Sequence, residues 1–283
     1  MKGKLKMKRI FAVVLLAVMC LSMFAVTGCG YNGYDMESEE LVMATNAEFP
    51  PYEYKEGNDF KGIDIEIAQE LAKRMNKKLV IKDVKFDAAL LGVSEGKYDM
   101  VLAGLTVTED RKKSMSFSES YAKGVQVMIV KEGSSITSID DLFNYDENGD
   151  PVSLKNPDIK VGVQTNTTGD IYSSSDVTGW GVNDLNEDGS TKTDRVKRYD
   201  NGAIAVEALK NGQVDVVIID EEPAKSYVAA NTGIKILDSK YAEEDYAIAV
   251  HKKSTELLAE IDKHLADMKA DGTLAAIVAK YIK

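Results

Sequence analysis

Cysteine is almost absent from this 283-residue chain, where it occurs twice, as Cys20 and Cys29. Residues 1–9 are basic and residues 10–26 form an apolar run, which together predict a secretory signal peptide over residues 1–28. Cys20 lies inside that segment, so the mature chain is expected to keep Cys29 alone. An intramolecular disulfide is therefore excluded.

Basic charge is also scarce. The chain has 35 Lys and Arg residues against 46 Asp and Glu residues, a net charge of −11. Five of the basic residues lie in the signal segment, which leaves 30 against 46 and a net charge of −16 for the mature chain. Nucleic acid requires a basic footprint and so does an anionic membrane surface, and this composition argues against both as partners.

Histidine occurs twice, as His251 and His264, and neither lies in a segment predicted to line a ligand pocket. With no mature cysteine in such a segment either, the chain offers few groups for acid–base or nucleophilic catalysis, and we predict no catalytic residues and no cofactor. The acidic insert 174–194 contains DLNEDG, the spacing that begins an EF-hand calcium loop. Its twelfth position is Arg195 instead of the bidentate Glu, so we favour a solvated turn and predict no metal site, and leave calcium or partner binding open.

The residues around Cys29 resemble a bacterial lipoprotein signal. A small residue and a glycine precede the cysteine directly after the apolar run, in the sequence VTGC. The resemblance implies cleavage before Cys29 and palmitate-type acylation of its thiol. It therefore implies a lipid anchor on the extracytoplasmic face of a bacterial cell membrane. Residues 29–40 are polar and read as a flexible tether.

From Leu41 onward strand and helix patterns alternate. LVMAT (41–45) predicts a buried strand, and residues 64–76 predict a helix with an apolar stripe at Ile67, Leu71 and Met75. Further strand and helix patterns follow in turn, which predicts an α/β fold with mostly parallel sheets flanked by helices.

Two segments 116 residues apart share one pattern, at 88–104 and at 203–220. Each predicts a helix, a glycine C-cap, an aspartate and then a buried strand. A separation of 116 residues is consistent with two similar lobes. A general resemblance between βα units is the alternative explanation. In open α/β sheets ligands bind beyond the carboxyl ends of strands, and here those ends are Gly104–Thr106 and Asp220.

The chemistry at these two strand ends is complementary to a free amino acid. After the first strand come the hydroxyl of Thr106 and the guanidinium of Arg111, and a guanidinium matches a carboxylate bidentately. After the second comes Asp220, which suits an ammonium group. A third segment, TNTTGD (165–170), predicts a helix start whose free N–H groups can hold an anion.

With these segments in hand, the chain resembles the polar amino-acid group of bacterial extracellular solute-binding proteins, the capture components of ABC importers. The resemblance is carried by ATNAEFPPYEY, KGIDIEIAQELAKRM, AGLTVTEDRKKSMSFSESY, GVQTNTTG and VVIIDEEPA. It implies a periplasmic-binding-protein-like fold of two lobes joined by a two-strand hinge. The expected bounds are 41–122 plus 246–283 for lobe 1 and 125–243 for lobe 2.

The resemblance also implies a role for particular residues. Arg111 and Thr106 would bind the ligand carboxylate, assisted by backbone groups of Thr168 and Gly169. Asp220 and the carbonyl of Gly104 would bind the ammonium group. The side-chain end of the pocket would be lined by Asn46, Phe49 and Ile63.

The resemblance implies a monomer that captures a free amino acid between closing lobes and delivers it to an ABC permease. Asn46 stands where members often carry Asp, and Ile63 where several carry an aromatic residue. We therefore expect a polar or neutral amino acid, with cationic ones as the alternative if Glu48 turns inward. The alternative function is a cyclohexadienyl-dehydratase-like enzyme on the same fold.

Overall fold

A computed structural model describes residues 31–282 of the chain. The fold is α/β. The strands of the first half are β1 (Glu40–Thr45), β2 (Glu48–Phe49), β3 (Glu53–Glu56), β4 (Asp59–Lys61), β5 (Lys78–Asp83), β6 (Met100–Val101), β7 (Met115–Phe117) and β8 (Ala122–Lys131). Those of the second half are β9 (Phe143–Tyr145), β10 (Pro151–Leu154), β11 (Val161–Gln164), β12 (Asp184–Leu185), β13 (Thr191–Thr193), β14 (Val196–Tyr199), β15 (Val216–Asp220), β16 (Ile234–Tyr246) and β17 (Ala249–His251).

The described residues also form eight α-helices. They are α1 (Ile63–Arg74), α2 (Phe86–Ser94), α3 (Glu109–Ser114), α4 (Thr168–Ser174), α5 (Gly202–Lys210), α6 (Glu221–Ala230), α7 (Thr255–Ala270) and α8 (Thr273–Tyr281). In α1 the apolar stripe predicted from the sequence is buried, including Ile67 and Leu71, and Asp64 of the first turn is buried with it. No helix within residues 31–282 is long and apolar enough to cross a membrane.

The strands form two five-stranded sheets, in the order β5-β1-β6-β17-β7 and in the order β14-β11-β15-β8-β16. We call the first sheet with its helices lobe 1 and the second lobe 2. In each sheet three strands are parallel, and the other two pair antiparallel. The sheets are thus mixed, where the sequence pattern predicted mostly parallel ones. Each sheet receives one strand that enters from the other lobe, β17 in lobe 1 and β8 in lobe 2, and that strand runs against the parallel set.

The shared pattern of residues 88–104 and 203–220 corresponds to one local structure built twice. After helix α2, Gly96 turns the chain with φ of 76°, and after α5, Gly212 does so with φ of 72°. The aspartate that follows then caps a neighbouring strand. Asp99 accepts a hydrogen bond from the N–H of Val42, and Asp215 accepts one from the N–H of Lys160. The carboxyl ends of β6 and β15 consequently lie at matching places in their sheets.

Two long antiparallel strands, β8 and β16, make the hinge. They pair along their length, from Lys131 opposite Ile234 to Ala122 opposite Tyr246. At that last pair they reach lobe 1, where Thr106 bridges Tyr246 and the Ala247 N–H donates to the Leu105 carbonyl. The predicted lobe limits at residues 122–125 and 243–246 fall within these two strands. The exact limits stay a prediction, because a hinge strand belongs to both lobes.

Candidate functional site

A small polar cavity lies between the strand ends of the two lobes. Its volume is about 20 Å³. It is lined from lobe 1 by Asn46, Phe49, Glu53, Phe86, Ala103, Gly104, Thr106 and Arg111, and from lobe 2 by Gln164, Thr167, Thr168 and Asp220. That volume holds one or two water molecules, so the side chains that meet here must move apart to admit anything larger.

Seven of the nine residues predicted to bind ligand line this cavity, and Ile63 and Gly169 do not. Ile63 is fully buried in the hydrophobic core as the first residue of α1, so its side chain packs inside lobe 1 instead of facing the cavity. Gly169 is the second residue of α4, and a Cβ atom there would lie 3.0 Å from the carbonyl oxygen of Ile218. A glycine at this position therefore lets α4 pack closely on β15.

Arg111 reaches the cavity from α3 and is only 8% exposed. Its Nη1 donates to the carbonyl of Thr106 at 2.7 Å, and its Nη2 donates across the cleft to the carbonyl of Asn166 at 2.9 Å. The guanidinium also lies over the ring of Phe86, 5.5 Å from its centroid. Burial lowers the pKa of Arg111 to about 10, which still leaves it charged at neutral pH.

The hydroxyls of Thr106 and Thr168, from opposite lobes, are joined by side chains of the hinge. Thr106 donates to Oε2 of Glu244 on β16 at 2.8 Å, and Gln126 on β8 donates to the same oxygen at 3.1 Å. Gln126 also donates to the hydroxyl of Thr168 at 3.2 Å. One hydrogen-bonded chain therefore runs from lobe 1 through the hinge to lobe 2. The second carboxylate oxygen of Glu244 is buried and has no hydrogen-bond partner.

Asp220 ends β15 and is 6% exposed. Its Oδ1 accepts a hydrogen bond from the hydroxyl of Tyr246. Burial and then the charge of Glu244 raise the pKa of the Asp220 carboxyl to about 7. A cation placed beside Asp220 would favour the charged carboxylate and so lower its pKa again.

The other end of the cavity contains an acid that the sequence did not reveal. Glu53 on β3 is 1% exposed and lines the cavity, and its Oε2 has no hydrogen-bond partner. Burial and the adjacent Asp64 raise the pKa of Glu53 well above its usual value. Asp64 in turn accepts from the N–H of Gly104 at 2.8 Å and from the Tyr121 hydroxyl at 2.9 Å. This pair of buried carboxyl groups lies behind the loop that carries Gly104.

Asn46 and Gln164 close the same end from opposite lobes. The Gln164 amide donates to Oδ1 of Asn46 at 2.9 Å, while the Asn46 amide donates to the carbonyl of Val84 at 3.2 Å. Glu48 faces outward instead, where its carboxylate accepts from Asn201 at 2.9 Å. The inward turn of Glu48 that the sequence left open is therefore absent.

Sequence reasoning missed Glu53, Phe86, Gln164 and Gln126. Glu53 lies in the charged stretch YEYKEGND. The order of polar and apolar residues in this stretch does not indicate that one of its acids faces inward. Gln164 ends the buried strand VGVQ, and a polar residue at a strand end next to the predicted anion-binding turn was a usable signal. Gln126 lies within the hinge strand itself, and no local pattern distinguishes it.

Neither histidine lies at this cavity. His251 ends β17, where its Nδ1 accepts from the N–H of Lys253 at 2.9 Å. His264 is 9% exposed within α7 and lies 3.4 Å from Glu260. In the acidic insert, Oδ1 of Asp188 accepts hydrogen bonds from the N–H and the hydroxyl of Ser190, within its own turn.

Comparisons with known proteins agree with this architecture. The family model of the bacterial extracellular solute-binding proteins, family 3, matches residues 41–283. The arginine-binding extracellular protein ArtP of Bacillus subtilis is 30% identical over 274 residues, which is 95% of this chain and 96% of ArtP. A probable histidine-binding protein of Neisseria gonorrhoeae is 30% identical over 94% of this chain and 93% of its own length.

A solved structure shows the same fold. An ancestral arginine-binding protein bound to arginine superposes with a TM-score of 0.73 at 35% sequence identity, covering 87% of this chain and 99% of that one. A solved structure of an ancestral arginine-binding protein bound to glutamine also matches, with a TM-score of 0.72 at 35% sequence identity. On the extent of the family match and of these relatives, the chain belongs to the bacterial extracellular solute-binding proteins, family 3.

Proposed function

We propose that this protein captures a free amino acid between its lobes and delivers it to the permease of an ABC importer. The observation that carries the proposal is one buried guanidinium, Arg111, and one buried carboxylate, Asp220, lining the same cavity from opposite lobes. A free α-amino acid presents the matching carboxylate and ammonium groups. The relatives are named as amino-acid-binding proteins, which supports this choice.

In this proposal Arg111 and Thr106 bind the ligand carboxylate, and the first N–H groups of α4, at Thr168 and Gly169, assist. The first-turn N–H groups of a helix have no intrahelical partner, so they are available to an anion. Asp220 and the carbonyl of Gly104 bind the ammonium group. The ligand carboxylate displaces the Asn166 carbonyl from Arg111, because both acceptors compete for the same Nη2 hydrogens.

A thermal-shift panel of the common amino acids and cystine tests the function. A ligand at about 100 times its dissociation constant stabilises the folded protein by roughly 2.7 kcal/mol, which shifts the unfolding temperature measurably. At least one amino acid is expected to do this. If none does, the amino-acid proposal is wrong.

The alternative function, turnover of a cyclohexadienyl-type substrate, has less support. The relatives reported above are named as binding proteins, and neither histidine nor cysteine lines the described cavity. We propose that the protein is not an enzyme. Product formation from a prephenate-like acid by the purified protein would overturn this.

The charge of the cavity favours a cationic amino acid, in contrast to the polar or neutral ligand that Asn46 suggested. Two buried acids line the cavity, Glu53 and Asp220, and two more, Asp64 and Glu244, accept hydrogen bonds from the lining residues Gly104 and Thr106. Among the residues that line the described cavity, Arg111 is the one base. Buried charges are costly unless paired, so a ligand with net positive charge balances this set better than a neutral zwitterion does. We therefore propose arginine or a similar cation, with its side chain directed to the unpartnered oxygen of Glu53.

Replacing Glu53 with Gln is expected to reduce the preference for arginine over glutamine about tenfold or more. The substitution keeps the shape of the side chain but removes the carboxylate that would pair with a guanidinium, and charged hydrogen bonds contribute about 1.5–3 kcal/mol. Calorimetric dissociation constants for both ligands measure the ratio. Glu48→Gln is the matched control, because Glu48 lies on the neighbouring strand β2 and faces outward, and an equal change in both variants would contradict the role of Glu53.

We also propose a lipid anchor at Cys29, which lies outside the described residues. Members of the family act outside the cytoplasm, and the VTGC sequence after the apolar run supports acylation at this cysteine. One or two acyl chains hold a protein on a membrane surface. In the native bacterium Cys29→Ser is expected to move the protein from the membrane fraction to the soluble fraction or the medium. Unchanged retention in the membrane fraction would contradict the anchor.

A further inference from the structure

The ring of Tyr246 fills a space that a glycine leaves open on the opposite hinge strand. Tyr246 is fully buried at the end of β16. A Cβ atom at Gly124, on β8, would lie 2.4 Å from the ring, so any other residue at position 124 would displace it. On its other side the ring meets Tyr52 edge to face, with 5.1 Å between centroids. The contacts with Gly124 and Tyr52 therefore fix the position of the Tyr246 ring.

From that place the Tyr246 hydroxyl donates to Oδ1 of Asp220 in lobe 2. Tyr246 is not among the residues that line the cavity, so its contact with a ligand is indirect. We propose that Tyr246 is a positioning residue, which holds the Asp220 carboxylate charged and facing the cavity and thereby makes the hinge part of ligand recognition. This inference rests on the proposed function, because it assumes that Asp220 binds the ligand ammonium.

The surroundings of Asp220 explain why it needs such a donor. It is buried, and the nearest charge that the hinge contributes is the carboxylate of Glu244, which repels it. The other titratable groups that face it are Arg111 from α3, Glu53 from β3, Tyr172 from α4 and Tyr52 from the loop before β3. A hydrogen bond donated to the carboxylate favours the charged form over the neutral one.

The direction of the pH effect follows from these contacts. Burial and Glu244 raise the pKa of Asp220 to about 7, and the Tyr246 hydroxyl opposes that rise. Ammonium binds the carboxylate form, so affinity is full above this pKa and falls about tenfold per pH unit below it. Without the hydroxyl the pKa of Asp220 rises further. The midpoint of the affinity profile then moves to higher pH.

The experiment measures calorimetric dissociation constants for arginine from pH 5.5 to pH 9 in Tyr246→Phe and in the unaltered protein. Phenylalanine keeps the ring, and thermal unfolding confirms the fold of each variant. We expect a midpoint shifted upward by about one pH unit, and therefore binding about fivefold weaker at pH 7. Tyr241→Phe is the matched control, because Tyr241 lies on the same strand and donates to the carbonyl of Trp180 instead. It should leave the profile unchanged.

A double substitution separates positioning from packing. In an Asp220→Asn background, Tyr246→Phe should weaken arginine binding little further, because the carboxylate that accepts from the Tyr246 hydroxyl is already absent. Equal losses in both backgrounds, or weaker binding with no shift of the pH midpoint, would show a structural role and overturn the inference. If the unaltered protein binds arginine with no pH dependence near 7, the inference also fails while the proposed function stands. Binding of no amino acid at all would remove both.

Discussion

Arg111→Ala is expected to weaken amino-acid binding by a hundredfold or more. The ligand carboxylate would be buried without its counter-charge, and the loss of one partner from a buried ion pair costs about 3–5 kcal/mol. Arg111 is 8% exposed, so water cannot replace it readily. Calorimetric titration with the amino acid identified by the thermal-shift panel measures the change.

Two further variants make that result specific. Arg111→Lys keeps the charge but loses the planar fork, and it should recover only part of the affinity. Arg74→Ala is the control, because Arg74 is also paired, with Glu70 and Asp271, but lies on α1 away from the cavity. Less than tenfold weakening by Arg111→Ala would refute the assigned role of the guanidinium.

The fold could be predicted from the sequence because its signals are local. The stripe of Ile67 and Leu71 makes α1 a helix with one buried face, and the glycine and aspartate after α2 and α5 place two strand ends alike. The antiparallel strands were harder to predict. β17 enters the sheet of lobe 1 only after the chain has completed lobe 2, and no local pattern records that return.

The polar end of the site was predictable for a similar reason, and the side-chain end was not. Asp220 ends the buried strand β15, and Thr106 and Arg111 lie in the segment after the buried strand β6, where α/β sheets place their ligand-binding groups. Glu53 faces the cavity because β2, β3 and β4 fold into a small separate sheet, which turns one acid of a charged stretch inward. Ile63 was expected in the pocket but packs in the core, because the first turn of α1 faces the interior of lobe 1.

Asp220→Asn is expected to have two opposite effects, of which the first is on binding. Asparagine keeps the size of the side chain and one acceptor oxygen but cannot neutralise an ammonium group. Amino-acid binding should weaken by a hundredfold or more, for the same reason as at Arg111. An analogue of the ligand that lacks the α-amino group should bind both proteins with similar affinity. Asp245→Asn is the control, since Asp245 pairs with Lys123 at 2.6 Å on the outside of the hinge.

The second effect is on stability without ligand, and it distinguishes a binding acid from a structural one. A carboxyl whose pKa is raised to about 7 by burial and by Glu244 is destabilising when charged. Because the folded pKa exceeds that of the unfolded chain, stability is lost as pH rises from about 4 through about 7. At pH 8 the Asp220→Asn protein should therefore unfold with a free energy higher by on the order of 1–3 kcal/mol, and this gain should vanish at pH 4. Denaturant unfolding at the two pH values measures it. A variant that binds less and is also less stable at pH 8 would show that Asp220 holds the fold together, and that the ammonium site lies elsewhere.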